Sequence, residues 1–454
     1  MSLRFGWYGD DFTGATDTLA VAARSNLRSI LFLDVPTQQQ LSRVGPLEAI
    51  GIAGTARSMS GRQMQASLPR VGRFFQEMAV PVLHYKCCST FDSAPDAGSL
   101  GEAMRILGQY VGAPCALIVG GQPDIGRYCC FGNLFASAGS SSDVYRIDRH
   151  PTMRCHPVTP MDEADLRLHL KCQGMQEVFS VPYTAYRQQP AALDEQVDRA
   201  SDRCRSDMGK MERALLFDVS DNAQLTHVGR QIHRLAKRYN TALVVGSSVV
   251  LQAVAAHWDG TDSHCGKTTS LSNKHRSRKT ASEPTFVLAA SLSPVTSAQV
   301  AACVSYQKIA LQARRLLSDT QYRTEQCRKI CDLLGENRHV LAYIDQQNGR
   351  DPDVDSSSLA QGTAQFVHNV VHRLAERGIR LGQLGIAGGD TSSQAVARLD
   401  VWALSYSRIL SPGVTVCTMH SDDIMLDGIE VMLKGGQMGT VDVFEKLLVP
   451  DPDF

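Results

Sequence analysis

The sequence has no surplus of charge. Its 46 Lys and Arg are matched by 46 Asp and Glu in 454 residues, so the broad positive field that draws a protein onto nucleic acid or an anionic membrane is missing. A small-molecule partner is the expectation. Paired cysteines are also lacking. The 13 cysteines include no CxxC and no zinc-site spacing, which excludes a disulfide framework and a zinc module and points to free thiols in a reducing cytoplasm. Cys87–Cys88, Cys129–Cys130 and the pair Cys327 and Cys331 are the places where thiol chemistry could arise. No stretch has membrane-spanning length; the most apolar, Thr241 to Ala256, is too short and too polar. The N-terminal residues reach Asp10 and Asp11 before an apolar signal-peptide core can develop, so cytoplasmic residence is expected. What is present is ordinary globular usage: 43% hydrophobic and 20% charged residues describe a folded soluble chain. Its length suggests two or three domains.

Short β-type runs alternate with amphipathic stretches in the N-terminal part. Strands are predicted at Phe5–Tyr8, Ser29–Leu33, Ala49–Ala53, Val82–Tyr85, Ala116–Val119, Ala214–Val219 and Ala242–Val245, and helices at Ala15–Ser25, Arg62–Met78, Gly101–Val111, Asp162–Gln173 and Ala223–Tyr239. Between His257 and Glu283 aliphatic residues almost vanish, the composition of a linker or mobile loop. A second series follows: a strand at Thr285–Ala289, one helix from Ser297 to Leu317, a strand at Val340–Ile344, a helix through Phe366–Arg377 and a strand at Gln383–Ile386. The fold class expected is α/β, two Rossmann-like domains over residues 1–257 and 284–454 with a polar segment at 258–283 and an active-site cleft between the domains. Gly266-Lys267-Thr268 imitates the end of a Walker A loop, but Thr261 stands where its first glycine belongs.

Chemistry-bearing residues cluster after predicted strands, where open α/β sheets bind ligands. Asp10, Asp11 and Asp17 surround Phe12-Thr13-Gly14 at a strand-to-helix turn. Adjacent carboxylates repel unless a cation, a metal or a hydrogen-bonding substrate is near; one of them can also serve as a helix N-cap. Lys86 precedes Ser89, Thr90, Asp92 and Ser93, a loop carrying a cation, hydroxyls and an acid. Arg149-His150-Pro151 and Arg154-Cys155-His156-Pro157, with Arg127, suit an anionic substrate or are ordinary surface charges. In the second half, Ser291, Ser293, Thr296 and Gln299 lie at one strand-to-helix junction, Gly388, Gly389, Asp390, Thr391 and Ser392 at another, and Lys434, Gly435, Gly436 and Gly439 in a third glycine-rich loop. Exposed N–H groups, hydroxyls and a cation favour phosphate, and the combination fits phosphoryl transfer with ATP and Mg²⁺. The leading expectation for the base is Asp10, before Asp11 or Asp17. No residue is assigned as a metal ligand.

These motifs resemble those of the four-carbon acid sugar kinases over nearly the whole chain. The resemblance rests on Asp10-Asp11-Phe12-Thr13-Gly14-Ala15 with Asp17, on Lys86 with Ser89 to Ser93, on Arg149-His150-Pro151 with His156 to Met161, on Ser291–Gln299, on Gly388 to Ser392, on Pro412-Gly413 and on Lys434-Gly435-Gly436 with Gly439. It implies an N-terminal sugar-acid-binding domain, a C-terminal ATP-binding domain, and phosphorylation of the terminal hydroxyl of threonate, erythronate or 3-oxotetronate. By position it places Ser291, Gly388 to Thr391 and Gly436 on ATP, and the Asp10 loop, Lys86, Ser89, Asp92, Arg149 and His156 on the sugar acid. Gly413 joins the ATP set, and Thr90, Arg127 and His150 the sugar-acid set. Ala290 stands where the family usually has Gly, and Met438 where Phe is common. A non-catalytic sensor of sugar acid or nucleotide is the rival reading. An oxidoreductase ranks lower, because no Gly-x-Gly-x-x-Gly follows the first strand.

Overall fold

Strands covered by helices on both faces are apolar throughout rather than alternating, and runs such as Ala116–Gly120 and Ala242–Gly246 are buried at every residue. The computed structural model describes residues 3–138, 143–156, 158–204, 211–261, 283–345 and 354–449. It divides into two compact units, one of Met1–Ser29 and Asp34–Thr268, the other of Ile30–Leu33 and Thr269–Phe454.

In the first unit the strands run in the order Ala49–Ala53, Phe5–Gly9, Val82–Lys86, Ala242–Gly246, Ala116–Gly120, Arg213–Asp218 and Glu177–Val181, every pairing parallel. From Phe5–Gly9 the chain visits a neighbour on one side, Ala49–Ala53, and then one on the other, Val82–Lys86. Strand order therefore reverses at Phe5–Gly9, and a crevice opens beyond its carboxyl end. Helix Phe12–Arg24 starts there because the Asp11 side chain accepts the Gly14 N–H, 2.8 Å away. Glu177–Val181 escapes the sequence reading: it is a half-exposed edge strand beginning with a glutamate. A small antiparallel sheet of Arg127–Cys130, Asn133–Ser137 and Val144–Arg146 is likewise too short to show an apolar period.

The strand expected at Ser29–Leu33 forms as Ser29–Phe32, but it pairs antiparallel with Val401–Ser411, and from Ile30 onward it belongs to the second unit. There Gln307–Leu311, Val340–Ile344, Thr285–Ala289, Gln383–Ala387 and Glu430–Lys434 lie in that order, all parallel. The hairpin Val401–Ser411 and Val414–Ser421 continues the sheet antiparallel, turning at Pro412-Gly413 with Gly413 at φ +73°. The single helix expected from Ser297 to Leu317 is instead helix Pro294–Ala302, edge strand Gln307–Leu311 and helix Ala313–Ser318. Three of that strand's five residues are exposed, so its sequence carries little apolar signal. Val287, Leu341, Met432, Phe444 and Leu447 form the core under this sheet.

Residues 258–261 of the expected linker are the end of helix Val249–Thr261. The remainder up to residue 282, with Gly266-Lys267-Thr268 and Cys265, lies outside the described residues. Among the described residues no helix is long and apolar enough to cross a membrane.

Candidate active site

Every functional side chain of the first unit sits at the carboxyl ends of its strands. Asp10 and Asp11 follow strand Phe5–Gly9, and both are buried. The cation that keeps these neighbours together is Arg57, in the turn Ala56–Ser58 after strand Ala49–Ala53. Its Nη2 lies 2.9 Å from Asp10 Oδ1, its Nε 3.4 Å from Asp10 Oδ2 and its Nη1 2.8 Å from Asp11 Oδ2. The remaining Asp11 oxygen caps the helix. Burial pushes the Asp10 carboxyl up to about 6 against the opposing pull of Arg57. Asp17, in the helix Asp11 starts, stands apart from this clamp: its Oδ2 accepts the Ser248 hydroxyl, which in turn accepts the Gln122 side-chain N–H at 3.0 Å. Burial raises its carboxyl too. Arg57, Ser248 and Gln122 escaped the sequence reading. The signal that could have found them is the one that singled out Asp10, since each closely follows the end of a parallel strand.

Lys86 ends strand Val82–Lys86 and is only 5% exposed. Asp11 and Asp10 outweigh its burial and raise its pKa, so it is an ammonium ion, yet its Nζ makes no ion pair or hydrogen bond among the described residues. It lies over the first turn of the helix: a Cβ on Gly14 would fall 1.9 Å from Lys86 Nζ and 2.6 Å from Asp11 Oδ1. Gly14→Ala therefore displaces the ammonium while improving helix propensity by about 1 kcal/mol. The expected result is weaker binding of a small carboxylate with a melting temperature close to that of the unsubstituted chain, because the contact with the Asp11 cap oxygen offsets the propensity gain; anion titration and a thermal melt check it.

The loop after Lys86 is held from below. Phe91 adopts φ +56° and is buried; its carbonyl accepts from Ser93 Oγ and His169 Nε2, and Gln173 donates to Ser93 Oγ at 2.8 Å. These contacts present Thr90, whose hydroxyl donates to Asp92. Burial opposes ionisation of Asp92, but Arg57, Cys88, Thr90 and His156 together hold its carboxyl below the usual range. Ser89 is half-buried in the same loop. Arg127 lies within electrostatic reach of Cys88 and Asp92, and burial lowers its pKa. Its Nη1 donates to the carbonyls of Ile125, Gly126 and Ser137, while its buried Nε has no partner.

His150 and His156 share a local role. His150 Nδ1 accepts the N–H groups of Thr152 and Met153, and burial lowers its pKa; His156 Nδ1 accepts the Thr159 N–H at 3.1 Å. His156 also faces Asp92. Arg149 is not brought into this group. Its side chain is 73% exposed and its nearest acid is Asp148, 3.7 Å away.

In the second unit, Thr285–Ala289, Gln383–Ala387 and Glu430–Lys434 are adjacent parallel strands, so the three loops noted in the sequence emerge side by side. The N–H groups of Ala290 and Ser291 both donate to the Ala387 carbonyl, and the Gly388 N–H to the Lys434 carbonyl. Thr296 Oγ1 donates to the Gly436 carbonyl at 2.9 Å, and Gln299 Nε2 donates to the carbonyls of Met438, Gly439 and Thr440, each at 3.0 Å. Ser293 caps helix Pro294–Ala302, and Ser392 Oγ donates to the Ile386 carbonyl. Thr391 Oγ1 is 3.3 Å from that of Thr363. Gly413 packs on Met438, whose Cε would lie 2.1 Å from an added Cβ.

What this frame leaves open fits a polyphosphate. Helix Gly389–Val396, with Asp390 in its first turn, begins at Gly388, φ +134°, without a side-chain cap, so its first N–H groups remain available. Gly435 precedes Gly436, where an added Cβ would fall 2.2 Å from Ser291 Oγ. Lys434 is wholly buried. Its Nζ donates to the Thr296 hydroxyl and the Gly435 carbonyl, at 3.1 and 3.0 Å, and lies 5.9 Å from the centroid of the Phe444 ring, and burial pulls its pKa down to about 7. A metal cage is a different matter. Among the described residues no three His, Cys, Asp or Glu side chains are grouped to hold a metal ion, so these residues do not fit a protein-held Mg²⁺.

Comparison with known proteins agrees with this division of chemistry. Residues 5–254 match the family model of a sugar-binding N-terminal domain, and residues 286–444 that of a nucleotide-binding C-terminal domain. A 3-oxo-isoapionate kinase of Paraburkholderia graminis is 32% identical over 97% of this chain and 93% of the relative. A 3-oxo-tetronate kinase of Methylobacterium radiotolerans is 26% identical over 99% of each. The crystal structure of a Salmonella typhimurium LT2 protein shares the fold, with a TM-score of 0.77 at 20% identity over 98% of each chain. With buried lysines and glycine loops of this kind in place, the sequence match over both domains identifies the chain as a member of the four-carbon acid sugar kinase family.

Proposed function

We propose that this protein transfers the γ-phosphoryl group of ATP to the terminal hydroxyl of a small sugar acid, a four-carbon acid or a close homologue. The observation that carries the reading is a pair of buried lysines, one per unit, neither in an ion pair among the described residues: Lys86 beside the acidic cluster and Lys434 among the glycine loops. An ammonium ion kept unpaired in a dry site is stabilised when an anion arrives. Lys86, with Arg127, receives the carboxylate of the sugar acid, while Thr90 and Asp92 meet its hydroxyls. Lys434, the N-terminus of helix Gly389–Val396 and the Gly435-Gly436 backbone take the phosphates. The proton acceptor belongs to the set Asp10, Asp11 and Asp17. Mg²⁺ enters with the nucleotide, held chiefly by its phosphates.

The names of the relatives favour a 3-oxo acid, because both 3-oxo-isoapionate and 3-oxo-tetronate carry that group. Cytoplasmic residence is part of the proposal and rests on the cysteines, since every described one is a free thiol. A coupled ADP-release assay with ATP and Mg²⁺, run against D- and L-threonate, D- and L-erythronate and their 3-oxo counterparts, tests the reading. Release with one acid and not its epimers is the expected result. Silence across the panel, with ATP still bound, moves the weight to a non-catalytic sensor.

A further inference from the structure

We infer that Asp17 is the proton acceptor of the transfer and that Ser248 and Gln122 are positioning residues which hold it, while Asp10 and Asp11 form a fixed electrostatic floor with Arg57. This rests on the kinase reading above and deepens it.

Four oxygens belong to Asp10 and Asp11, and each already accepts a hydrogen bond: three from one guanidinium and one from the Gly14 N–H. Carboxylates whose oxygens are all engaged in this way are restrained in place and have no free oxygen to offer a substrate hydroxyl. Asp17 is different. It lies within electrostatic reach of Lys86 and accepts only the Ser248 hydroxyl among the described residues. Its Oδ1 is therefore available to a substrate hydroxyl.

The Ser248 hydroxyl is fixed in turn. Ser248 and Gln122 are both buried, and the Gln122 N–H donates to the Ser248 oxygen, which orients the Ser248 proton towards Asp17. The two come from loops after strands Ala242–Gly246 and Ala116–Gly120, so the sheet itself, rather than a flexible loop, sets the carboxylate's direction. Burial raises the Asp17 pKa, and the Ser248 hydrogen bond and Lys86 hold it in check. Asp11 and Arg24 complete the charges that face it. A carboxylate whose proton affinity is raised above the ordinary and which keeps one oxygen free is what proton abstraction from an alcohol needs.

In the step proposed, the proton of the terminal hydroxyl passes to Asp17 Oδ1 as the hydroxyl oxygen forms a bond to the γ-phosphorus of ATP. The bond from that phosphorus to the β,γ-bridging oxygen breaks, and its electron pair leaves on ADP. No further reactant is required.

The test uses the full chain and the sugar acid that gives ADP release. Asp17→Asn should lower kcat by about 10²- to 10⁴-fold, the usual contribution of a general base, with little change in KM for ATP and no loss of thermal stability. Ser248→Ala removes a hydrogen bond that favours ionised Asp17, so it should move the acid limb of the kcat profile upward by about one pH unit. A merely structural serine would leave that limb in place. Turnover of Asp17→Asn within a few fold of the unsubstituted chain, or an unmoved acid limb in Ser248→Ala, overturns the assignment. Failure of the unsubstituted chain with every acid overturns the kinase reading itself. Circular dichroism and ATP titration of each variant show that a loss is not one of folding.

Discussion

Replacing Lys434 by methionine should lower ATP-dependent turnover by at least 10²-fold and yet leave the protein as stable as before, or more so. Methionine keeps the length and packing of the lysine stem, and the group lost is a wholly buried ammonium without a carboxylate partner, which costs folding free energy whenever it is charged. The sign of the pH effect follows. The folded-state pKa of about 7 lies below the ordinary lysine value of 10.5, so between these values the unfolded chain binds more protons and stability rises with pH across that window. The shift corresponds to something on the order of 5 kcal/mol. Every other titrating group is common to both chains, so chemical denaturation should show the stability advantage of Lys434→Met over the unsubstituted chain shrinking between about pH 6.5 and pH 9.5. ATP must reverse the penalty, because phosphate stabilises the ammonium. Nucleotide binding at pH 8 should therefore take up close to one proton, read by calorimetry in buffers of different ionisation heat. Absence of that uptake would mean that Lys434 does not meet phosphate.

Arg57→Ala should be the most damaging single change in the first unit. It leaves Asp10 and Asp11 buried, with side-chain exposures of 4% and 10%, and removes the cation bound to both. Breaking such a pair from one side costs about 3–5 kcal/mol. Deprived of Arg57, the buried Asp10 carboxyl is held still higher above its unfolded value, so the penalty is present above the unfolded carboxylate range and shrinks as pH falls and Asp10 takes up a proton. Thermal melts at pH 5 and pH 8 should show the larger loss at pH 8. Arg57→Lys should recover only part of it, since a single ammonium cannot reproduce the fork that reaches three carboxylate oxygens. An equal loss at both pH values would show that the guanidinium acts through packing alone.

The sequence was readable where burial leaves a continuous apolar run. Strands such as Ala116–Gly120 and Ala242–Gly246 stand out because helices cover both of their faces, and the α/β class follows from their alternation with helices. Edge strands carry no such signal. Gln307–Leu311, with three exposed residues, reads as part of a helix, and the partner of Ser29–Phe32 lies some 370 residues onward in sequence, roughly the separation of Leu31 and Leu404, which no local period encodes. The candidate site shows the same limit. Asp10, Lys86 and Lys434 could be singled out because they sit in or beside recognisable motifs. Arg57 is an ordinary arginine in an ordinary turn, and only parallel pairing of Ala49–Ala53 with Phe5–Gly9 carries it to Asp10, 47 residues away. Arg149 shows the reverse: Arg149-His150-Pro151 and Arg154-Cys155-His156-Pro157 look equivalent in sequence, yet the arginine of the first is solvated while its histidine is buried.

The most direct test of the central claim is the identity of the product. The protein is incubated with ATP, Mg²⁺ and the sugar acid that gives ADP release, and the phosphorus spectrum is followed with proton coupling. The account predicts a phosphomonoester signal split by the two protons of a terminal CH₂, growing in step with ADP. Inorganic phosphate in place of that ester, or an acyl phosphate formed on the carboxylate, would contradict it.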